Sequence, residues 1–238
     1  MRLLVSVRNV TEAREVAATG VDFIDLKDPA DGALGGLPVA TISEVVLALR
    51  AQPGSGRISA TIGDHASDAL DAILQRVAAV AATGVNYVKV GISPGPGVTA
   101  LLEALARCGA TVVPVFIADA GVPMAAVRAA LAVAGDDFHV FPALMLDTQA
   151  KLGGSLLQRV PVSALAEFIE AVQASGRLAG LAGALRLIEL ETLRRLAPDF
   201  AGFRSAVCDG DRAGNLVPQR VRALCEACAA PAERAAAH

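Results

Sequence analysis

Short apolar runs rich in Val, Ile and Leu alternate along this chain with longer Ala-, Leu- and Arg-rich segments in which apolar positions recur every three to four residues. The first pattern reads as buried parallel strands and the second as amphipathic helices. Strands are predicted over 3–7, 21–26, 57–62, 87–92, 111–117, 139–146, 177–182 and 202–207. Helices are predicted between and after them, over 11–18, 39–49, 66–82, 98–108, 123–134, 162–174, 188–196 and 218–230. Gly20, Gly84 and Gly109 follow helices where a left-handed residue suits a C-terminus, and Pro123 and Pro218 open helices where a missing N–H costs nothing. Eight β–α units in succession, with no long linker and no shift in composition, predict one (β/α)8 barrel over 1–230 in place of a doubly wound sheet. The Ala-rich end, 231–238, is expected to fray.

A barrel of this kind carries its chemistry at the C-terminal ends of the strands, so the predicted strands become a map of the site. The second strand ends at Asp25-Leu26-Lys27-Asp28, the fourth carries Tyr87 and Lys89, and the sixth ends at Asp147 with Lys151 in the loop beyond. Asp25 and Lys27 are two apart, as are Tyr87 and Lys89, so each couple shares a face of its strand. Asp25 is therefore expected to meet Lys27, and Asp147 to meet Lys151 four residues on; a strand-end or loop ion pair is the plainer reading of each. Glycine-rich stretches follow the last two strands, Gly180 to Leu185 and Cys208 to Gly214. They nominate the backbone around Gly183, Ala184, Gly210, Asp211 and Arg212 as a phosphate seat, because small residues let an anion approach N–H groups closely. Gly32 to Gly36 is readable as a lid or as an ordinary loop.

Composition sharpens this map at one point. The chain holds eighteen arginines but only three lysines, Lys27, Lys89 and Lys151, and every one of them maps to the catalytic rim. An ε-amine can lose its proton and attack a carbonyl, whereas guanidinium stays charged. Two ammonium groups about 6 Å apart at an effective dielectric near 20 repel by roughly 3 kcal/mol, which favours a neutral amine, and their joint charge attracts anions. A phosphorylated aldehyde or ketone is the substrate class that suits both properties.

Other classes are disfavoured. A net charge of −3 and scarce aromatic residues argue against a nucleic-acid surface. No apolar run approaches the roughly 20 uninterrupted residues of a membrane span. The first residues lack the features of a signal peptide, so a cytoplasmic location is expected. Four cysteines do not suggest a disulfide framework, and Cys225-x-x-Cys228 has no second ligand pair, so no metal or redox role is expected there. The expected partner is a small sugar phosphate, and a homo-oligomer is compatible with the sequence.

Several motifs together resemble the (5-formylfuran-3-yl)methyl phosphate synthases: Ile24-Asp25-Leu26-Lys27-Asp28-Pro29, Gly32-Ala33-Leu34-Gly35, Tyr87-Val88-Lys89-Val90-Gly91, Leu146-Asp147-Thr148 with Lys151, and Gly180-Leu181-Ala182-Gly183. The resemblance runs essentially end to end. It implies a cofactor-free condensation of two glyceraldehyde 3-phosphate molecules in methanofuran biosynthesis, with Lys27 forming a Schiff base, Lys89 transferring protons, and Asp25, Asp147 and Lys151 completing the site. The Arg/Ala bias is more like that of methylotrophic bacteria than of methanogens. Arg8, Arg204 and Arg212 are candidates for the extra basic contacts that lysines make in lysine-rich members. A class I aldolase acting on another phosphorylated aldehyde would use the same amine and phosphate logic, and a catalytically silent sugar-phosphate binder is the non-enzymatic reading.

Overall fold

The computed structural model describes residues 1–32, 34–52, 54, 56–133, 140–149 and 154–229. Eight parallel strands, β1 (Arg2–Val7), β2 (Phe23–Leu26), β3 (Arg57–Thr61), β4 (Tyr87–Ile92), β5 (Val112–Ile117), β6 (Ala143–Asp147), β7 (Leu178–Leu181) and β8 (Phe200–Phe203), close in sequence order into a barrel. The helices around it are α1 (Val10–Ala17), α2 (Val39–Arg50), α3 (Leu70–Ala81), α4 (Val98–Arg107), α5 (Met124–Ala132), α6 (Leu156–Arg159), α7 (Val162–Ala174), α8 (Leu190–Leu196) and α9 (Pro218–Ala229). The short α6 is an addition to the predicted set. Among the described residues, no helix is long and apolar enough to cross a membrane. The expected start of the sixth strand at His139, the tail 231–238 and Lys151 lie outside the described residues.

Two separate apolar clusters follow from the alternation of side chains along each strand. The odd residues of β1 and the even residues of β2 and β4 point outward and pack under the helices: Leu3, Val5, Val7, Ile24, Leu26, Val88 and Val90 are all buried there. Inside the barrel lies a smaller cluster that includes Leu4, Phe23, Val113, Val115, Met145 and Phe200. Glycines make room for this interior: a Cβ on Gly180 would stand 2.1 Å from the Phe200 ring. Beneath the polar site a void of about 30 Å³ remains, walled by residues including Phe23, Ser59, Tyr87, Lys89 and Phe200.

The last strand is displaced from its predicted position. It occupies Phe200–Phe203, and Ser205–Val207 turns into a 3-10 helix, so 202–207 is not one strand. Register decides this: Arg2 of β1 pairs with Phe200, and Gly180 of β7 pairs with the same residue. Asp199 anchors the entry, its N–H donating to Ala179 O and its carboxylate accepting from Ala179 N, both at 2.9 Å.

The loop after β2 is anchored, which favours the plain-loop reading of the Gly32 to Gly36 segment. Asp28 N and Thr61 Oγ1 donate to Gly35 O, and Gly63 N donates to Leu34 O. The Leu34 side chain is fully buried in the interior cluster, so close to β4 that a Cβ on Gly91 would lie 2.8 Å from it. This loop therefore fills the mouth beside β4 and leaves it open elsewhere.

Candidate active site

Asp25 lies at the centre of the barrel interior with no exposed surface. Its Oδ2 accepts from Lys89 Nζ at 3.0 Å and from Ser6 Oγ at 3.1 Å, while Oδ1 accepts from Ser59 Oγ at 2.6 Å. Four strands, β1 to β4, thus converge on one carboxylate. Lys27 follows the end of β2, its N–H held by Val7 O. Its Nζ stands 3.6 Å from Asp147 Oδ2, and the other Asp147 oxygen accepts from Thr148 N at 2.7 Å.

The Asp25–Lys89 pairing replaces the expected Asp25–Lys27 one, while the expected Asp147–Lys151 pair falls outside the described residues. Asp25 and Lys27 do share a face, but two strand residues separate them by roughly 6.6 Å in depth. Each charge instead meets its counterpart from another strand: Asp25 meets Lys89 of β4, and Lys27 meets Asp147 of β6. The described partners of Asp147 are therefore Lys27 and a backbone N–H, while Lys151 lies outside the described residues. With a carboxylate beside each ammonium, the amine–amine repulsion anticipated from the sequence is offset within the site.

The open part of the mouth is a cleft of about 520 Å³. Asp25, Lys27, Lys89 and Asp147 reach it, together with Thr148, Gly183, Ala184, Ser205, Asp211 and Arg212. Gly183 has φ +110°, and a Cβ there would come within 2.7 Å of Thr148 Oγ1, so the chain needs glycine where β7 gives way to its loop. Ala184 follows with φ +48°, a conformation costing an alanine about 1 kcal/mol or more. Gly210 is exposed and is not part of the cleft wall. The early end of β8 brings Arg204 and Ser205 to the rim, and of the loop that follows Asp211, Arg212 and Ala213 line the cleft while Gly210 does not.

Arg204 organises that loop. Its Nη1 donates to Glu12 Oε2 at 2.6 Å and Ser6 O at 3.1 Å, its Nη2 to Glu12 Oε1 at 3.2 Å and Gly214 O at 2.9 Å, and its Nε to Arg212 O at 2.9 Å. Every guanidinium N–H is thereby used within the protein. Arg8 adds bonds from Nη1 to Ala213 O and from Nη2 to Asn215 Oδ1. Arg204 and Arg8 thus both hold this loop, and Arg204 has no guanidinium N–H left over. Arg212 Nη2 donates to Gly32 O at 2.9 Å, tying the β8 loop to the β2 loop at the edge of the cleft.

Ser6, Ser59, Thr148 and Glu12 were not singled out from the sequence. A signal existed for Ser6, a polar residue inside the apolar run 3–7, whereas Ser59 shares its short strand with Arg57 and Thr61 and does not stand out. Glu12 had one as well: Asn9 caps α1 by accepting from Glu12 N, and the Glu12 carboxylate reaches back to Arg8 N. Cys225 and Cys228 lie half-buried on α9, and burial pushes both thiols up from their ordinary range. This is opposite to the activation a redox pair needs. No group of three or more metal-ligating side chains occurs among the described residues.

Residues 3–225 match the family model described as 4-HFC-P synthase. The chain is 33% identical over 246 residues to the (5-formylfuran-3-yl)methyl phosphate synthase of Archaeoglobus fulgidus, covering 95% of this chain and 99% of that protein. It is 32% identical to the synthase of the same name from Methanococcus aeolicus, covering 96% of this chain and all of that one. A Methylorubrum extorquens protein to which the same activity is provisionally ascribed is 37% identical over 227 residues, 95% of this chain and 91% of its own. Among solved structures, phosphoribosyl anthranilate isomerase from Thermus thermophilus superposes with a TM-score of 0.62 at 18% identity, covering 95% of this chain and 98% of that one. A 3-hexulose-6-phosphate synthase superposes at 0.55, also with 18% identity, covering 94% and 99%. At such identities these two structures speak for the barrel alone, whereas the family model and the sequence relatives span nearly the whole chain. The chain belongs to the (5-formylfuran-3-yl)methyl phosphate synthase family.

Proposed function

We propose that this protein is a carbon–oxygen lyase that condenses two molecules of glyceraldehyde 3-phosphate into (5-formylfuran-3-yl)methyl phosphate through a Schiff base on Lys27. The observation that carries the reading is an amine at the mouth of the barrel beside Asp147, above a second amine that is buried and bonded to Asp25. One amine is reachable by a substrate carbonyl, and the other is placed to hold or deliver a proton. Lys27 condenses with the aldehyde of one triose, and loss of the α proton turns the iminium into an enamine. The enamine expels the phosphate from its β carbon; bond formation between that carbon and C2 of the second triose, enolised to its ketose form, then ring closure with loss of two waters and hydrolysis of the iminium give the formylfuran and return the amine. Aromatic ring formation opposes reversal. Lys89 with Asp25 moves protons at the reacting carbons, and Asp147 orients the Lys27 amine. The N–H groups of Gly183 and Ala184 and the cation of Arg212 at the rim would hold phosphate, with Asp211 beside them and Lys151 as a further anchor. A role in methanofuran biosynthesis, or in that of a methanofuran analogue, follows from this product.

Borohydride reduction in the presence of glyceraldehyde 3-phosphate, followed by peptide mass mapping, tests the covalent step. An adduct on the Lys27 peptide, release of inorganic phosphate and furan absorbance are expected together. Lys27→Arg keeps the charge and removes the nucleophile, so it should give no adduct and no turnover. Turnover in that variant would overturn the Schiff base. An adduct formed without phosphate release or furan absorbance would favour a class I aldolase acting on another phosphorylated aldehyde.

A further inference from the structure

We infer that Ser59, assisted by Ser6, is a positioning residue that sets the Asp25 carboxylate for proton transfer through Lys89; this rests on the lysine-based condensation proposed above. A carboxylate has two oxygens and can rotate about its bond to the chain. Here Oδ1 has one described donor, Ser59 Oγ at 2.6 Å. Oδ2 is shared by Lys89 Nζ at 3.0 Å and Ser6 Oγ at 3.1 Å. Ser59 on β3 and Ser6 on β1 flank β2, in register with Asp25 itself. The two hydroxyls therefore grip the carboxylate from opposite sides and leave one orientation in which Oδ2 meets the ammonium of Lys89.

All four side chains are enclosed: Asp25 is 0% exposed, Lys89 2%, Ser59 3% and Ser6 7%. Water has little access to replace a missing hydroxyl, and an uncompensated hydrogen bond to a charged group is costly in such a place. Ser59 also borders the void of about 30 Å³ beneath Lys89. Threonine keeps the hydroxyl and adds one methyl group beside this void. Ser6 shares Oδ2 with the ammonium and makes the longer bond, which ranks it second.

Three variants, Ser59→Ala, Ser59→Thr and Ser6→Ala, are compared with the unsubstituted protein by steady-state kinetics and by borohydride trapping on Lys27. Ser59→Ala should lower kcat about 10- to 100-fold, leave KM within about twofold and still trap the Lys27 adduct. Ser59→Thr should restore kcat to within a few-fold, and Ser6→Ala should fall between. Unchanged kcat in Ser59→Ala would overturn the inference. So would a loss of trapping together with kcat, or a defect in the alanine variant that threonine fails to relieve, because either would mark a general packing role. Failure of the parent reading is distinguishable: the unsubstituted protein would itself give no Lys27 adduct.

Discussion

Replacing one member of the Asp25–Lys89 pair leaves the other charge in a place that water barely reaches, since both side chains are almost wholly enclosed. Truncation of one partner in such a pair costs roughly 3–5 kcal/mol, while replacement of both by apolar groups of similar shape is far cheaper. Asp25→Asn is therefore expected to lower unfolding stability by several kcal/mol in urea titrations as well as to reduce turnover by orders of magnitude. The double variant Asp25→Asn/Lys89→Met should recover much of the stability and none of the activity. A single variant with unfolding stability unchanged would show that the pair is not the buried ion pair its geometry describes. Lys27 is different in kind: it is more exposed, its 3.6 Å contact with Asp147 is looser, and its substitution should touch activity far more than stability. Lys27 and Lys89, two of three lysines in an arginine-rich chain, stand out in the sequence, and both line the cleft. Their partners were not legible there, because depth along the barrel axis and the identity of the neighbouring strand decide which charges meet.

Among the elements, the connections after the strands do the work, and the β8 loop is the instructive one. Glu12 on α1 receives two donors from Arg204, one from the Arg8 backbone and an ion pair from Arg8 Nε at 3.3 Å, so a helix-capping residue doubles as the anchor of a loop nearly 200 positions away in the chain. Glu12→Gln keeps the volume and removes the charge that neutralises Arg204. It should destabilise the protein by about 3 kcal/mol or more and accelerate amide hydrogen exchange in 209–217 before the rest of the barrel. Uniform exchange along the chain would mean that the network does not hold this loop in particular. The Asn9-x-x-Glu12 cap is a local feature of α1, but the second role of Glu12 depends on Arg204 approaching from β8. The boundary of β8 was misjudged for a related reason. The run from Gly202 to Val207 was read as one strand across Arg204 and Ser205, yet pairing with β1 and β7 ends it at Phe203 and Arg204 meets the Glu12 carboxylate.

In the molecule as a whole, Lys27, Gly183, Ala184 and Arg212 line one cleft, the set proposed to receive a phosphorylated carbonyl compound. Inorganic phosphate at ten times its dissociation constant should stabilise the fold by about 1.4 kcal/mol, roughly 3–5 °C in Tm for a barrel of this size. Gly183→Ala, which crowds Thr148, should abolish the shift. A shift that survives this substitution would place the anion elsewhere. The order of strands and helices, and hence the barrel, was determined by the sequence by itself: inward and outward positions alternate every two residues in strands and recur near every 3.6 in helices, and both periods are local. The same local rule assigned Lys27, Lys89 and Asp25 to the inner surface near the mouth. Only the tertiary structure decided that Asp25 belongs to Lys89, that Lys27 belongs to Asp147, and that Ser6 and Ser59 grip the central carboxylate. Those contacts depend on strand register and on closure of the barrel, which bring residues far apart in the chain to within 3 or 4 Å.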